Sequence, residues 1–112
     1  FNAYNIGMSF ALCEDLGVAP EILQQSLQSF PGVKGRMQTH QLPNGAQCII
    51  DHAHTPSSFE AVLSTLRTHT KDLVVVFGIG GNRDTIKRPI LGEIAAKYAD
   101  SVVLTTDNPR NE

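Results

Sequence analysis

Three short polar runs hold the residues of this chain best suited to chemistry. They are Asp51-His52-Ala53-His54-Thr55-Pro56, Gly78-Ile79-Gly80-Gly81-Asn82-Arg83-Asp84 and Asp107-Asn108-Pro109-Arg110. Arg83 and Arg110 can each grip a carboxylate or a phosphate with two parallel N–H donors. Asp107 can accept from an ammonium, and Asn108 offers both an amide donor and an acceptor. Two guanidiniums with one carboxylate complement a zwitterion such as an amino acid. They suit a polyphosphate less well, because Asp107 would repel it. Asp51 comes after a different strand and can accept from ribose hydroxyls.

Other chemistries find no support in the same residues. Cys13 and Cys48 have neither metal-like spacing nor a third ligand beside them, and no Ser/His/Asp spacing marks a nucleophile. The phosphate loop G-x-x-x-x-G-K-[ST] does not occur. Gly78-x-Gly80 begins like a dinucleotide fingerprint, but Arg83 stands where its third glycine belongs. Each run also has a plain structural reading. Asp51 can cap a helix, His54 can be an ordinary loop histidine, and the glycines can serve a tight turn. What favours a site is the coincidence of all three runs at strand ends. Taken alone, these residues bind rather than catalyse, and no catalytic residue is assigned.

The elements that must position these runs follow from periodicity. Ile6, Phe10 and Cys13 to Leu16 form a helical stripe that Gly17 can close, and Pro20 opens a second helix with Leu23, Leu27 and Phe30, ended by Pro31-Gly32. Residues 37–42 and 46–50 flank Pro43-Asn44-Gly45 and predict an antiparallel hairpin, with positive φ expected at both Asn44 and Gly45. Then 57–69 reads as a helix with Phe59, Val62, Leu63 and Leu66 inward, and with Ser57 and Glu60 as its capping box. The all-apolar 73–77 reads as a parallel strand covered on both faces. Residues 89–99 read as a helix with Ile90, Leu91, Ile94 and Tyr98 inward, and 102–106 as another buried strand. The order β-α-β-α-β predicts an α/β fold: a Rossmann-like, mostly parallel sheet with a β-hairpin at its start, preceded by helices. In such sheets ligands bind beyond the carboxyl ends of the strands, where the three polar runs fall, so one common rim is expected. A domain boundary is expected at residues 32–35.

The totals bound the rest. The chain has 112 residues, 41% of them hydrophobic and 18% charged, which is globular composition. A formal net charge of −2 gives no basic field for nucleic acid or an anionic membrane. No apolar run approaches a membrane span, and no signal-peptide pattern opens the chain. The two cysteines sit in apolar stretches and read as buried free thiols of a reducing compartment. Phe1 is not a natural start, so the sequence reads as a piece of something longer, cut rather than naturally ended at Glu112.

Six motifs in register carry a family resemblance. They are Phe1-Asn2 with Asn5, Gly35-Arg36-Met37, Asp51-His52-Ala53-His54-Thr55-Pro56, the Phe77 to Asp84 glycine loop, Lys87-Arg88-Pro89, and Asp107-Asn108-Pro109-Arg110. Together they resemble the Mur ligases, most of all the members that add diaminopimelate to the peptidoglycan stem peptide. The resemblance implies that residues 1–34 are the last helices of a central ATP-binding domain. It makes residues 35–112 most of a C-terminal Rossmann-like ligase domain. It implies ATP-dependent amide formation through an acyl phosphate, in the cytoplasm, with meso-diaminopimelate and a UDP-MurNAc-dipeptide as substrates. Mg²⁺ assists, with ligands outside this chain, as does a carbamylated lysine. Residue by residue, it implies nucleotide contacts at Asn2, Asn5, Arg36, Asp51 and His54. Diaminopimelate contacts fall at Arg83, Asp107, Asn108 and Arg110. His52 stands where the family usually has tyrosine, and Lys87 matches a position to which no role is assigned. The alternatives are a lysine-adding Mur ligase, folylpolyglutamate synthetase, or a non-catalytic Rossmann-like binding module.

Overall fold

The computed structural model describes the backbone from Asn2 to Glu112 and the side chains from Ala3 onward. In chain order the elements are α1 (Asn2–Asp15), α2 (Pro20–Ser29), β1 (Gln38–Gln41), β2 (Gln47–Ile50), α3 (Pro56–Arg67), β3 (Val74–Phe77), α4 (Lys87–Tyr98) and β4 (Ser101–Leu104). They group into two compact units, Phe1–His52 and Ala53–Glu112.

In the first unit, α1 ends in a Schellman motif, as Gly17 predicts. Gly17 lies at φ 84, its N–H donates to Glu14 O at 2.9 Å, and Val18 N–H donates to Cys13 O at 3.0 Å. Pro20 opens α2, where its missing N–H costs no hydrogen bond. β1 and β2 pair antiparallel from Gln38 opposite Ile50 to Gln41 opposite Gln47. The turn between them differs from the expected one, because only Gly45, at φ 86, is left-handed. Gly45 N–H donates to Leu42 O at 3.0 Å and Leu42 N–H to Ala46 O at 2.8 Å. Pro43, with its φ fixed near −65°, takes the first central place of the turn and Asn44 the second. Gly45 then supplies the left-handed residue of a three-residue hairpin loop. Neither cysteine is buried: Cys13 is half-buried and Cys48 exposed, both as free thiols.

In the second unit, α3 and α4 pack on one face of a two-stranded parallel sheet. β3 and β4 pair from Val74 opposite Ser101 to Phe77 opposite Leu104. Phe59 and Leu63 of α3, Leu73 and Val75 along β3, and Leu91 and Ala95 of α4 form the core. The Phe59 and Phe77 rings lie 5.0 Å apart, in the range for favourable tilted packing. Ala95, rather than the expected Ile90, fills the inward position beside Leu91: it is one turn on, whereas Ile90 is 39% exposed.

Two expectations for the sheet are corrected. Among the described residues the strands form two pairs, β1–β2 and β3–β4, so the parallel winding is seen directly only in β3-α4-β4. Nor are β3 and β4 covered on both faces. The period of two sends Leu73 and Val75 toward the helices, while Val74 and Val76 are 61% and 62% exposed, and every residue of β4 is exposed. The mixed architecture itself is as the pattern predicts: an antiparallel pair first, then a parallel one.

Helix starts also shift. Pro56, not Ser57, opens α3, and Thr55 caps it. Thr55 Oγ1 accepts from Ser58 N–H, whose hydroxyl pairs back to Thr55 N–H at 3.2 Å. Glu60, expected in that box, instead accepts from Lys97 at 2.8 Å and Tyr98 at 3.0 Å on α4. α4 begins at Lys87, two residues before Pro89, which an α-helix tolerates in its first turn.

Candidate functional site

The carboxyl edge of the β3–β4 pair is where the second unit concentrates its polar groups. Strand pairing continues one step past the strands, with Thr105 N–H donating to Phe77 O at 3.0 Å. The chain then runs from β3 into Gly78–Asp84 and from β4 into Asp107–Arg110. The two loops touch: Gly81 N–H donates to Asn108 O at 3.1 Å. A point one carbon out from Gly80 is 4.0 Å from both Arg83 Cγ and Asn108 O, and 3.9 Å from Asp107 O. The Arg83 side chain and the Asp107-Asn108 backbone therefore both border Gly80. Arg83, Asp107, Asn108 and Arg110 are all exposed there.

A small cavity of about 60 Å³ opens at this edge. Phe59, Phe77 and Leu91 form its apolar part, and His54, Lys87 and Asp107 its polar part. Lys87 Nζ donates to His54 O at 3.0 Å, which ties the start of α4 to the segment leading into α3. His54 thus lies at the β3–β4 edge.

The other nucleotide-side candidates lie in the first unit. Asp51 Oδ2 accepts from Met37 N–H at 2.8 Å, so the carboxylate after β2 closes on the segment that carries Arg36. Met37 is left-handed at φ 48, a conformation this contact supports. Arg36 is exposed. Asn5 lies on α1, and its carbonyl accepts from Ser9 Oγ at 2.9 Å. The side chain of Asn2 lies outside the described residues.

Residues 35–112 match the family described as "Mur ligase, glutamate ligase domain". The chain belongs to the Mur ligase family. It is 46% identical over 113 residues to the UDP-N-acetylmuramoyl-L-alanyl-D-glutamate–2,6-diaminopimelate ligase of Vibrio vulnificus, covering all of this chain and 23% of that protein. The ligase of the same name from Syntrophomonas wolfei is also 46% identical over the whole chain, again covering 23% of the relative. A solved structure of a ligase of that name superposes with a TM-score of 0.65 at 37% identity, over 99% of this chain and 23% of that one. The chain therefore spans about a quarter of the length of these relatives.

Within this Mur ligase chain, some contributors escaped the sequence reading. Arg88 pairs with Glu112, and this guanidinium, with a further hydrogen bond from the Asn82 backbone, holds the Glu112 carboxyl below its usual range. Twenty-four residues separate the partners, and no local pattern announces such a contact. The glycines do more than allow a tight turn. Gly78 and Gly81 are not at positive φ. They stand where a side chain would collide with the β4 loop. Two glycines in a strand-end loop signal such close approach as readily as a turn.

Proposed function

We propose that this chain is the amino-acid-binding and nucleotide-edge portion of an ATP-dependent ligase. The enzyme joins meso-diaminopimelate to UDP-MurNAc-L-Ala-D-Glu through an acyl phosphate, in the cytoplasm. Residues 1–34 are the last helices of its ATP-binding domain, and 35–112 belong to its C-terminal Rossmann-like domain. The single observation that carries this reading is the apposition of the Arg83 loop and the Asp107–Arg110 loop at Gly81 and Asn108. Two guanidiniums, one carboxylate and one amide share an exposed edge, a set complementary to a molecule with two amino-acid ends.

In this reading Arg83 and Arg110 take carboxylates, Asp107 takes an ammonium, and Asn108 orients the backbone of the bound amino acid. Lysine lacks the side-chain carboxylate that Arg110 would meet, so it would leave a guanidinium unpaired. Arg36 and Asp51, brought close through the Met37 amide, offer a cation and a carboxylate suited to a phosphate and a ribose, with Asn2, Asn5 and His54 as further nucleotide contacts. ATP supplies the phosphoryl group that activates the substrate carboxylate. This chain's residues position the attacking amine and exclude wrong amino acids. Among the described residues no group of three His, Cys, Asp or Glu side chains is placed to hold a metal ion. The donor set does not fit a Mg²⁺ site, and no step is assigned to the metal here.

The test is a ligation assay of the full-length enzyme carrying this sequence, with diaminopimelate against lysine. Diaminopimelate is expected as the preferred substrate. Arg110→Ala is expected to raise the KM for diaminopimelate about tenfold or more while the KM for ATP holds. An unchanged diaminopimelate KM with intact ATP affinity overturns the assignment. The 112 residues alone, which contain no phosphate loop, are expected not to turn over.

A further inference from the structure

Arg110 is held in place by an arrangement of backbone more than of side chains. Asn108 lies at φ 43 and Arg110 at φ 56, both left-handed, on either side of Pro109. Asparagine tolerates that region. Arginine adopts it only where neighbours enforce it. Three contacts do so: Gly81 N–H to Asn108 O at 3.1 Å, Glu112 N–H to Pro109 O at 3.1 Å, and the Arg88–Glu112 ion pair.

The closeness of the two loops depends on two missing side chains. A Cβ on Gly81 would lie 1.9 Å from Pro109 O and 2.6 Å from its carbonyl carbon. A Cβ on Gly78 would lie 2.4 Å from Thr105 O and 2.9 Å from Asp107 N. These are backbone atoms, which cannot rotate aside. An added methyl must push the Thr105–Arg110 segment outward. Gly80, between them, would meet nothing closer than 3.9 Å, so the loop's three glycines are not equivalent.

We infer that Gly78 and Gly81, together with Arg88, are positioning residues that set the placement of Arg110 and so the amino-acid specificity of the ligase. This rests on the reading that the edge binds diaminopimelate. The Gly81 methyl would drive Pro109, and Arg110 behind it, out by roughly 1 Å, a misplacement that can cost up to ~100-fold.

Steady-state kinetics of the full-length enzyme test the inference, with circular-dichroism melting to confirm folding. Gly81→Ala is expected to raise the KM for diaminopimelate about tenfold or more and leave the KM for ATP within about twofold. Gly92→Ala in α4, where a Cβ meets nothing within 4 Å, is expected to leave both constants within about twofold. If Gly81→Ala shows no folded transition, Glu112→Gln is read instead. It loosens the far end of the same loop from the surface and is expected to raise the diaminopimelate KM about threefold, with ATP unchanged. In the folded variant, an unmoved diaminopimelate KM, or an equal rise in both constants, overturns the inference. A wild-type enzyme that ligates a different amino acid overturns the substrate reading alone, and the same split is then measured with that amino acid.

Discussion

The two compact units use similar amounts of apolar sequence in different ways. In Phe1–His52, α1 exposes Tyr4 at 82%, Met8 at 69% and Leu12 at 62%, and α2 buries no residue. In Ala53–Glu112, α3, α4, β3 and Leu73 just before it hold all seven buried hydrophobics among the described residues. The first unit is an assembly of well-terminated local elements: a Schellman cap, a proline-started helix and a hairpin. The second is layered, helices on sheet, and layering is what removes apolar area from water. Good local signals make elements. A core needs a second surface to close against.

The largest expected effect separates the units directly. Leu91 is 3% exposed and sits between α3 and β3. Leu91→Ala should cost about 2–5 kcal/mol of unfolding free energy, from lost transfer energy plus a cavity. Leu12→Ala, at an exposed helix position, should stay within about 0.5 kcal/mol. Denaturant melts followed by circular dichroism measure both. Equal losses would break the contrast.

The legibility of the sequence followed the same division. Signals confined to a few neighbouring residues read true: Gly17 as a cap, Pro20 as a helix start, the α3 face of Phe59, Val62 and Leu63, and a hairpin around Pro43-Asn44-Gly45. Features that depend on a competing neighbour read less well. Pro43 outcompeted Asn44 for the leading turn position, and Pro56 with Thr55 displaced Ser57 as the start of α3. Long-range features were not legible. Nothing near Glu60 shows that Lys97 and Tyr98 will take its carboxylate, and nothing near Val74 or Val76 shows which faces of β3 are covered. At the candidate site, the polar groups were visible because strand ends collect them. The reason for Gly78 and Gly81 was hidden, because it lies in the backbone of a loop some 30 residues away.

A smaller effect sharpens the comparison by placing one methyl on each unit. Gly45 holds φ 86 at the hairpin turn, so Gly45→Ala forces a left-handed alanine and should cost about 1 kcal/mol of hairpin stability. Amide exchange at His40 and Cys48, the ladder's next hydrogen-bonded pair after Leu42 and Ala46, should speed up by about fivefold for that loss. Gly92 sits inside α4 with open space around it, so Gly92→Ala should stabilise the second unit by up to about 1 kcal/mol. Slower hairpin exchange in Gly45→Ala would contradict the turn geometry.

The smallest effect is electrostatic, and its sign can be worked out. Asp100, just before β4, accepts from Arg67 at 2.5 and 3.3 Å and from Leu73 N–H at 2.8 Å. The guanidinium first, and the backbone donor second, hold its carboxyl below the ordinary 3.8. A carboxyl whose pKa is lower in the folded state contributes stability above its unfolded value and loses it as pH falls through the folded one. Glu60, paired chiefly with Lys97, and Glu112, paired chiefly with Arg88, act in the same direction from an ordinary 4.5. All three belong to the second unit. Its melting temperature should therefore begin to drop as pH falls past 4.5 and continue below 3.8. Asp100→Asn should flatten the lower part of that slope. The groups are solvent-exposed, so the slope should also shrink in about 1 M salt, where screening acts within roughly 3 Å. Lys97 is shifted upward by Glu60, so its contribution is lost only on the alkaline side and leaves the acid limb untouched. An acid limb of unchanged steepness in Asp100→Asn would show that the Arg67–Asp100 clasp organises the start of β4 without stabilising it.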